Sequence, residues 1–277
     1  MTFRRRIGKT SFVARLESIT VRDALGREVE IPRRPARVVS LVPSITETLF
    51  ELGAGDSLVA ITDFCIFPAE RVRDLPRVGG TKTPGIDAIR ALEPQLVYMN
   101  LEENLRRHAE QIGEFTTIFA SEPRNVVDVI DLIRVLGEIH GGVAEAARWS
   151  VAIKDEADGL RSSAAFTFAV PIWKDPWMWC GGDTYVSGLI ESAGGANVLR
   201  STKRYPHLPP ASVLQERPDV VFLPDEPYRF EDADRAHLQD LGFSEVTRPF
   251  PGHLVTWHGT RTLAGLRFLR EWRRRGQ

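Results

Sequence analysis

The sequence predicts an α/β fold with mostly parallel sheets, because short apolar runs alternate with helical patterns along most of the chain. Each run has the length and the continuous apolar character of a strand that is buried on both faces. Helical patterns fill the gaps between the runs, as the right-handed crossovers between parallel strands require. The predicted strands span residues 38–42, 58–62, 96–99, 116–120, 165–170, 219–223 and 254–257.

A segment without any strand signal, residues 125–163, separates two strand-bearing halves. Its apolar residues recur at helical spacing on both sides of a Gly141-Gly142 break, so the segment is predicted to be helical. The simplest arrangement is two Rossmann-like lobes joined by a single long backbone helix. The expected divisions are an N-terminal arm or edge hairpin at 1–36, a first lobe at 37–140, the backbone helix at 141–163 and a second lobe at 164–277.

The two halves resemble one another in the order of their signals. Residues 43–59 and 183–199 each read as a strand-to-helix turn, a short helix and a glycine stop. Later in each half, a helix that ends before a proline precedes an apolar strand and an acidic loop, at Glu102-Glu103 and at Asp225-Glu226. The matching order indicates a pseudo-duplicated pair of lobes. Chance similarity between two α/β segments is the alternative.

Composition excludes several classes of function. The 277 residues include 36 Lys and Arg against 37 Asp and Glu, so no field of the whole protein favours nucleic acid. The two cysteines, Cys65 and Cys180, are far apart in the sequence and lack a CxxC pattern, which disfavours a disulfide framework and a zinc site. The six histidines, among them His207 and His253, have no paired-ligand spacing. No metal bound directly by side chains is therefore expected.

The N-terminus begins like the basic region of a signal peptide, Met-Thr-Phe-Arg-Arg-Arg-Ile-Gly-Lys. Arg15 and Glu17 interrupt the sequence before an apolar run of about 7 to 15 residues develops. No lipid-attachment cysteine lies near the start, and no apolar stretch reaches the roughly 20 residues of a membrane span. The expectation is a soluble chain that carries no export segment.

The turn after the first predicted strand contains a capping box, Ser44-x-x-Glu47, which would cap a helix at Ser44. That structural role is sufficient to explain both residues. Ligands of α/β sheets nevertheless bind beyond the carboxyl ends of strands, close to helix N-termini. Pro43 and Ser44 are therefore candidate ligand-binding residues as well.

Three of the six tryptophans lie within seven residues, at Trp173, Trp177 and Trp179, in a loop that two prolines interrupt. Aromatic residues so placed do not share one face of a regular element, so they cannot all be ordinary core. Broad rigid rings suit a pocket for a large, flat ligand. The alternative is a loop that packs on its own lobe. Phe64, Tyr205 and Trp257 also follow predicted strands or lie in loops between elements.

Signals for catalysis are weak. The sequence has no GxSxG elbow, no Walker loop and no GxGxxG motif. Cys180 precedes Gly-Gly-Asp, but a buried thiol is the simpler interpretation. Asp183 and His258 are the only candidates for an acid and base pair. We expect no catalytic residues and no enzyme.

Several motifs in order resemble one family. They are the run from Arg37 to Gly55, Asp63 to Pro68, Arg77-Val-Gly-Gly, Leu92-Glu-Pro-Gln-Leu-Val, Ala193-Gly-Gly-Ala-Asn-Val and Tyr205-Pro-His-Leu-Pro-Pro-Ala-Ser-Val-Leu. Together they resemble the helical-backbone substrate-binding proteins of ABC importers, closest to those that bind vitamin B12 and iron-siderophores.

The resemblance implies two rigid lobes with a ligand cleft between them, and a bulky metal chelate, a corrinoid or a ferric siderophore, as ligand. No covalent cofactor is implied. Phe64 matches a stacking aromatic of the B12 binders, Tyr205 matches a tryptophan, and Trp177, Met178 and Trp179 lie near another ring. Ser44 and Asn100 are expected to bond the polar edge of the ligand.

Other positions differ from the family pattern. Asn100 and Thr81 stand where further B12-contacting tryptophans are expected, and Pro43-Ser44 stands where receptors for bare metals hold a histidine. Asp87 resembles the acidic residue that docks the first lobe on the importer, whereas the second docking position is Ala211.

The resemblance implies a monomer that is located outside the cytoplasm and that works with the membrane subunits of an ABC importer. The missing export segment and Ala211 leave one alternative, an intracellular protein that handles or senses chelates. A chelatase-like enzyme on the same scaffold, with Asp183 and His258 as its acid and base pair, is the other alternative.

Overall fold

The computed structural model describes residues 18–160 and 165–275. The basic N-terminal segment, with Arg15 and Glu17, lies outside the described residues. The chain divides into two compact units. The first unit comprises the residues up to 122 together with 135–144, and the second comprises 123–134 and the residues from 145 onward. The boundaries expected from the sequence stay predictions.

The first unit is built on a parallel four-stranded sheet. Its strands are β3 (Val38–Ser40), β4 (Leu58–Ile61), β5 (Leu96–Asn100) and β6 (Thr117–Ser121), in the order β4-β3-β5-β6. Nearly every strand residue is buried, which explains the continuous apolar runs. A hairpin of β1 (Ser18–Arg22) and β2 (Glu28–Pro32) joins the β6 edge, where Ala24 donates a backbone hydrogen bond to Ala120 O at 2.8 Å.

Four helices connect these strands: α1 (Pro43–Glu51), α2 (Ala69–Val72), α3 (Ile86–Ala91) and α4 (Arg106–Gly113). The core lies between helices and sheet, where Ile89 and Ile112 pack against Val39 and Val97. The long helical segment then forms two helices, α5 (Val126–His140) and α6 (Val143–Leu160). They are separated at Gly141, which has a φ of +78°.

The second unit is built on a smaller parallel sheet. Its strands are β7 (Phe166–Ala169), β10 (Gly195–Asn197) and β11 (Val220–Val221), in the order β10-β7-β11. Val246 and Phe250 extend the sheet beyond β11 through isolated parallel bridges. Counted along the chain, both sheets therefore have the order second, first, third, fourth. This shared order is what a pseudo-duplication predicts.

An antiparallel hairpin and five helices complete the second unit. The hairpin is formed by β8 (Pro171–Trp173) and β9 (Met178–Trp179). The helices are α7 (Tyr185–Ser192), α8 (Pro210–Gln215), α9 (Asp232–Asp240), α10 (His253–Thr256) and α11 (Thr262–Arg275). Rings of the hairpin and of the following loops, including Trp179, Phe230 and Phe243, form one core cluster.

Two predictions about strands are wrong. Residues 254–257 were predicted as a strand, but His253–Thr256 is helical, because a short apolar run has the same appearance in a strand and in one buried helical turn. The fourth position in the sheet of the second unit is occupied instead by the stretch that contains Val246 and Phe250. Strand β10 was missed because Gly, Ala and Asn have low strand propensity.

The fold class itself, α/β with mostly parallel sheets in two units, is confirmed. Among the described residues, no helix has both the length and the apolar character needed to cross a membrane.

Candidate functional site

The first unit presents an exposed aromatic ring just beyond the carboxyl end of β4. Phe64 is 59% exposed and Ile66 is 49% exposed, while Cys65 between them is fully buried. A hydrogen bond from Cys65 N to Thr62 O at 3.1 Å closes a turn that buries Cys65 and leaves Phe64 and Ile66 open to solvent. We call residues 62–66 the Phe64 loop.

The Phe64 loop is fixed from beneath. The hydroxyls of Thr46 and Thr62 each lie 3.2 Å from the Cys65 thiol, and burial raises the pKa of that thiol. The Arg77 guanidinium donates to Thr62 O at 2.7 Å and to Cys65 O at 2.9 Å. These contacts hold the loop in one conformation before any ligand arrives, which lowers the entropic cost of binding.

A second loop packs beside the ring. A Cβ placed on Gly80 would lie 3.2 Å from Cε2 of Phe64, so only glycine leaves the ring in this position without a shift. The next residue, Thr81, accepts a hydrogen bond through its carbonyl from Asn104 Nδ2 at 2.9 Å. Lys82 Nζ donates to Glu102 O at 2.7 Å. The loops after β4 and β5 are thus tied together.

Asn100 shapes the loop after β5. Its side-chain Oδ1 accepts hydrogen bonds from the backbone amides of Glu102 at 2.8 Å and Glu103 at 3.3 Å. Its backbone amide donates to Asn104 Oδ1 at 2.8 Å. Asn100 is 4% exposed, so the visible task of its side chain is to position residues 101–104. Its contact with the polar edge of a ligand stays a prediction.

The turn after β3 differs from its prediction. Helix α1 begins at Pro43, its N-cap is Val42 and no side chain caps it, so Ser44 lies inside the first turn. The predicted capping box at Ser44 and Glu47 is therefore wrong. Proline favours the first helical position, so the helix begins at Pro43, one residue before Ser44. Pro43 and Ser44 are both buried at the carboxyl end of the sheet.

The tryptophan-rich loop of the second unit is the β8–β9 hairpin, and its three rings have different environments. Trp173 is 43% exposed and meets Tyr228 edge to face at 5.5 Å. Trp177 is half-buried and stacks on Trp179 and Phe230, with both centroid distances 5.7 Å. Trp179 is fully buried. The loop therefore combines a packed staple with one open ring.

Tyr205 precedes a segment that pairs with β9. Trp179 N donates to Pro206 O at 3.1 Å, and Leu208 N donates to Trp177 O at 3.2 Å. The indole of Trp179 also donates to Leu208 O at 2.9 Å. Met178 bridges His207 in this added strand. Tyr205 and Met178 are both half-buried, on or beside the same small antiparallel sheet.

Trp257 lies at the end of α10 and is 9% exposed. The helix is attached to the acidic loop after β11. There, Gly252 N donates to Asp225 Oδ1 at 2.7 Å and Thr256 Oγ1 donates to Glu226 Oε1 at 2.9 Å. Burial raises the pKa of Glu226, although the bond from Thr256 opposes the shift.

The candidate acid and base, Asp183 and His258, each make contacts within the fold. The Asp183 carboxylate accepts a short hydrogen bond from the backbone amide of Arg204. His258 is buried against Tyr185, and burial lowers the pKa of His258 to about 4. Cys180 is also buried. Within residues 18–160 and 165–275, no three His, Cys, Asp or Glu side chains come close enough to hold a metal ion.

The two positions that the resemblance assigns to docking lie on helices. Asp87 is exposed in the first turn of α3, and Ala211 is exposed in α8. A carboxylate in a first helical turn is favoured by the helix dipole, so Asp87 has a structural reason to be there as well.

The structure thus brings Pro43, Ser44, Phe64 and Asn100 to the carboxyl end of one sheet. It places Trp173, Trp177, Met178, Trp179, Tyr205 and Trp257 in the second unit. Sequence reasoning missed Ile66, which shares the open face of Phe64. No pattern in the sequence indicated it, because its exposure follows from the turn that buries Cys65.

A model of the periplasmic binding protein family matches residues 38–240. The chain belongs to this family. The match covers both units, and the family resemblance read from the motifs is confirmed. Relatives of this chain within the family are named as chelate-binding or transport proteins.

A cobalamin-binding protein of Halobacterium salinarum is 26% identical over 215 residues, or 73% of this chain. The chain spans 58% of the length of that relative. The crystal structure of the periplasmic vitamin B12-binding protein of Vibrio cholerae has a TM-score of 0.74 at 22% identity, covering 87% of this chain and 97% of that one.

An ABC-type Fe³⁺-hydroxamate transport protein of Saccharomonospora viridis has a TM-score of 0.75 at 19% identity. The alignment covers 91% of this chain and 98% of that protein. At these identities, the two solved structures establish the fold of this family member.

Proposed function

We propose that this protein binds a bulky metal chelate, a corrinoid or a ferric siderophore, and delivers it to an ABC-type importer. The observation that carries the proposal is the Phe64 loop. Phe64 is 59% exposed beside an exposed isoleucine, so a ligand that covers both side chains would gain the free energy of burying their apolar surface. The contacts of Cys65 and Arg77 keep the ring from folding inward.

The proposed ligand is large and has apolar faces. Phe64 and Ile66 offer an apolar surface, and the neighbouring backbone carbonyls of residues 80–83 and 101–104, which can each accept a second hydrogen bond, are the proposed polar partners at its edge. This mixture suits a chelate that has a wide organic shell around its metal. A bare ion would need converging charged ligands instead.

In the second unit, Trp173 is the proposed stacking ring, and Tyr205 is the proposed partner with a polar edge. Trp173 packs on Tyr228, Tyr228 packs on Phe230, and Phe230 stacks on Trp177, which in turn stacks on Trp179. Trp177 and Trp179 are therefore proposed to support the open ring through this series of contacts. The relatives named for cobalamin and for ferric hydroxamate make these two ligand classes the first to test.

The delivery role rests on the family and on Asp87. We propose that Asp87 pairs with an arginine of the importer and that the protein acts outside the cytoplasm as a monomer. Asp87→Lys should abolish uptake in cells while leaving chelate binding in solution unchanged. Loss of binding in that variant would show that Asp87 has another task.

The binding test is a titration of purified protein with cyanocobalamin, ferrioxamine B and haemin, followed by tryptophan fluorescence and calorimetry. One chelate should bind at one per chain. Phe64→Ala should weaken its affinity about ten- to a hundredfold. Leu25→Ala is the matched control, because Leu25 is 53% exposed on the β1–β2 hairpin. Absence of binding by every chelate would overturn the proposal.

A further inference from the structure

We infer that the first unit contains a second ligand site, a cavity at the end of α5 that binds a small phosphate monoester. Its volume is about 480 Å³, within the range of pockets for small organic molecules. All of its lining residues belong to the first unit, and none belongs to the surface proposed for the chelate. They are Ile19, Arg33, Arg34, Glu138, Gly141 and Val143.

The cavity lies at the opposite end of the sheet from Phe64. Arg33 and Arg34 follow β2 and lead into the amino end of β3. Gly142 lies beside the end of α1, since a Cβ there would be 2.5 Å from Leu52 O, and the chain passes from Leu52 to the amino end of β4. Phe64 follows the carboxyl end of that strand. A ligand in the cavity therefore leaves the Phe64 loop uncovered.

The backbone around Arg34 is fixed before any ligand arrives. Arg34 N donates to Ile139 O at 2.8 Å, which satisfies one of the carbonyls left open at the end of α5. Pro32 and Pro35 stand on either side of the arginine pair and restrict the chain there. Arg34 has a φ of +51°, a left-handed conformation that a residue other than glycine keeps only where its surroundings hold it.

Gly141 makes room for the Arg34 side chain. Its φ is +78°, and a Cβ placed there would lie 2.5 Å from Arg34 Nε and 3.1 Å from Arg34 Cζ. The guanidinium therefore lies against the last turn of α5, where the negative end of the helix dipole favours a cation. Any other residue at 141 would push the guanidinium out of this position.

The guanidinium groups of the two arginines have hydrogen-bond donors to spare. Arg33 and Arg34 are exposed, and within the described part of the chain neither side chain makes an ion pair or a hydrogen bond. Two arginines close by in the sequence differ, because Arg37 donates to a backbone carbonyl and Arg134 to an aspartate. Arginine forks match the oxygens of a phosphate group in geometry and in charge.

The neighbouring acidic groups do not neutralise the arginine pair. Glu30 accepts a hydrogen bond from a serine hydroxyl at 2.7 Å, and Glu145 in the first turn of α6 pairs with Arg148. Burial lowers the pKa of His140 to about 4, so this side chain is neutral. In the lining itself, two arginines stand against Glu138 alone, which leaves one net positive charge. Glu138 opposes an anion and therefore limits its affinity.

The rest of the lining suits an organic group. Val143 is 57% exposed and Ile19 is half-buried, so both have apolar surface that a ligand can cover. Inorganic phosphate would leave most of the volume to water. A phosphate monoester can place its charged group, of roughly −1.5 to −2 near neutral pH, on the arginines and its organic group on the two aliphatic side chains.

The binding test is calorimetry of the full chain with phenyl phosphate, inorganic phosphate and phenol. Phenyl phosphate should bind at one per chain and about tenfold more tightly than inorganic phosphate, because its ring covers apolar surface. Phenol should not bind. Sedimentation with phosphatidylcholine vesicles, with and without phosphatidic acid, shows whether the phosphate group can also be that of a lipid.

Variants assign the binding to the cavity. Arg33→Gln with Arg34→Gln should weaken phenyl phosphate about tenfold or more, and Arg34→Lys about threefold, since an ammonium keeps the charge without the fork. Glu138→Gln should strengthen inorganic phosphate about threefold by removing the opposing charge. Arg71→Gln with Arg73→Gln removes two exposed positive charges elsewhere and should leave binding unchanged.

Two results overturn the inference. One is that neither phenyl phosphate nor vesicles with phosphatidic acid bind. The other is binding that persists unchanged in the Arg33→Gln, Arg34→Gln variant, once urea unfolding shows that the variant is folded. The gain expected from Glu138→Gln guards against misfolding as an explanation, because a damaged site does not bind more tightly. Either failure leaves the chelate proposal standing, since the two sites share no residue.

Discussion

The ammonium of Lys174 lies 2.5 Å from Oδ1 of Asp234 and joins the tip of the β8–β9 hairpin to the first turn of α9. The hydrogen bond to Asp234 raises the pKa of Lys174. Burial alone would raise the pKa of Asp234, but the hydrogen bonds from Lys174 and from the Glu231 backbone, together with the charge of Lys174, lower it. Both shifts indicate a pair that is favoured in its charged form.

Lys174→Met should destabilise the second unit by about 1 to 3 kcal/mol, because it leaves the buried Asp234 carboxylate without its cation. Urea unfolding followed by tryptophan fluorescence measures the effect, since all six tryptophans lie in the second unit. Lys154→Met is the control. It breaks an exposed pair with Asp158 on α6 and should cost less than about 0.5 kcal/mol. Equal effects would mean that the hairpin bridge contributes no more than a surface pair.

Trp173→Ala and Trp179→Ala should separate binding from stability. Trp173 is 43% exposed, so its loss should weaken chelate affinity about tenfold and change unfolding little. Trp179 is fully buried and its indole donates to Leu208 O, so its loss should cost about 3 to 5 kcal/mol. Calorimetry and urea unfolding of both variants check this. A stability loss of similar size in the two variants would contradict the division of the loop into an open ring and a buried staple.

Strand positions in the first unit were predictable because those strands are buried on both faces. Continuous runs such as Leu-Val-Tyr-Met have no polar residue that would suggest a loop. The second unit was harder, since β10 consists of Gly, Ala and Asn and β11 has only two residues. Their pairing comes from neighbouring strands rather than from their own composition.

For the candidate site, the sequence indicated which loops carry aromatic residues but could not assign the burial of each ring. Trp173 and Trp179 have the same residue type and lie six positions apart, yet one is open and the other is fully buried. The difference arises from Phe230, Phe243 and Leu208, which are distant in sequence. The bonds of Asn100 to residues 102 and 103 could not be predicted either, because they depend on the loop conformation, and its contact with a ligand stays a prediction.

Stability should fall as the pH falls from about 6.5 to about 4, because His258 is buried in its neutral form. Burial lowers its pKa in the folded protein to about 4, against an ordinary value near 6.5 in the unfolded chain. Its contribution is therefore present above pH 6.5 and is lost as the pH falls through 4. The difference corresponds to about 3 kcal/mol.

Urea unfolding at several pH values measures this, with His258→Gln as the comparison. The variant should be less sensitive to pH in that window, so its stability and that of the wild type should converge as the medium becomes acidic. Parallel pH dependences would show that His258 takes up its proton equally in both states. His140, whose pKa burial also lowers to about 4, adds a similar dependence in the first unit. Its Nε2 lies 2.8 Å from the Tyr98 hydroxyl.

Gly265→Ala should destabilise the second unit, whereas Gly159→Ala should not. Both glycines lie within helices, α11 and α6. A Cβ on Gly265 would lie 2.1 Å from Leu254 O, which is backbone of α10 and cannot rotate away, so α10 and α11 would have to separate. We expect a cost of about 1 to 3 kcal/mol from this overpacking. It would also move the helix that precedes Trp257.

Among the residues that the structure describes, nothing lies within 4 Å of a Cβ placed on Gly159, so alanine there should keep the fold and stabilise it by up to about 1 kcal/mol through helix propensity. Urea unfolding followed by tryptophan fluorescence compares the two variants directly. Because the two substitutions have the same chemistry, the difference between them isolates the close approach of α10 to α11. If both variants were stabilised, α10 and α11 would have to be packed less closely than the approach of Leu254 O to Gly265 implies.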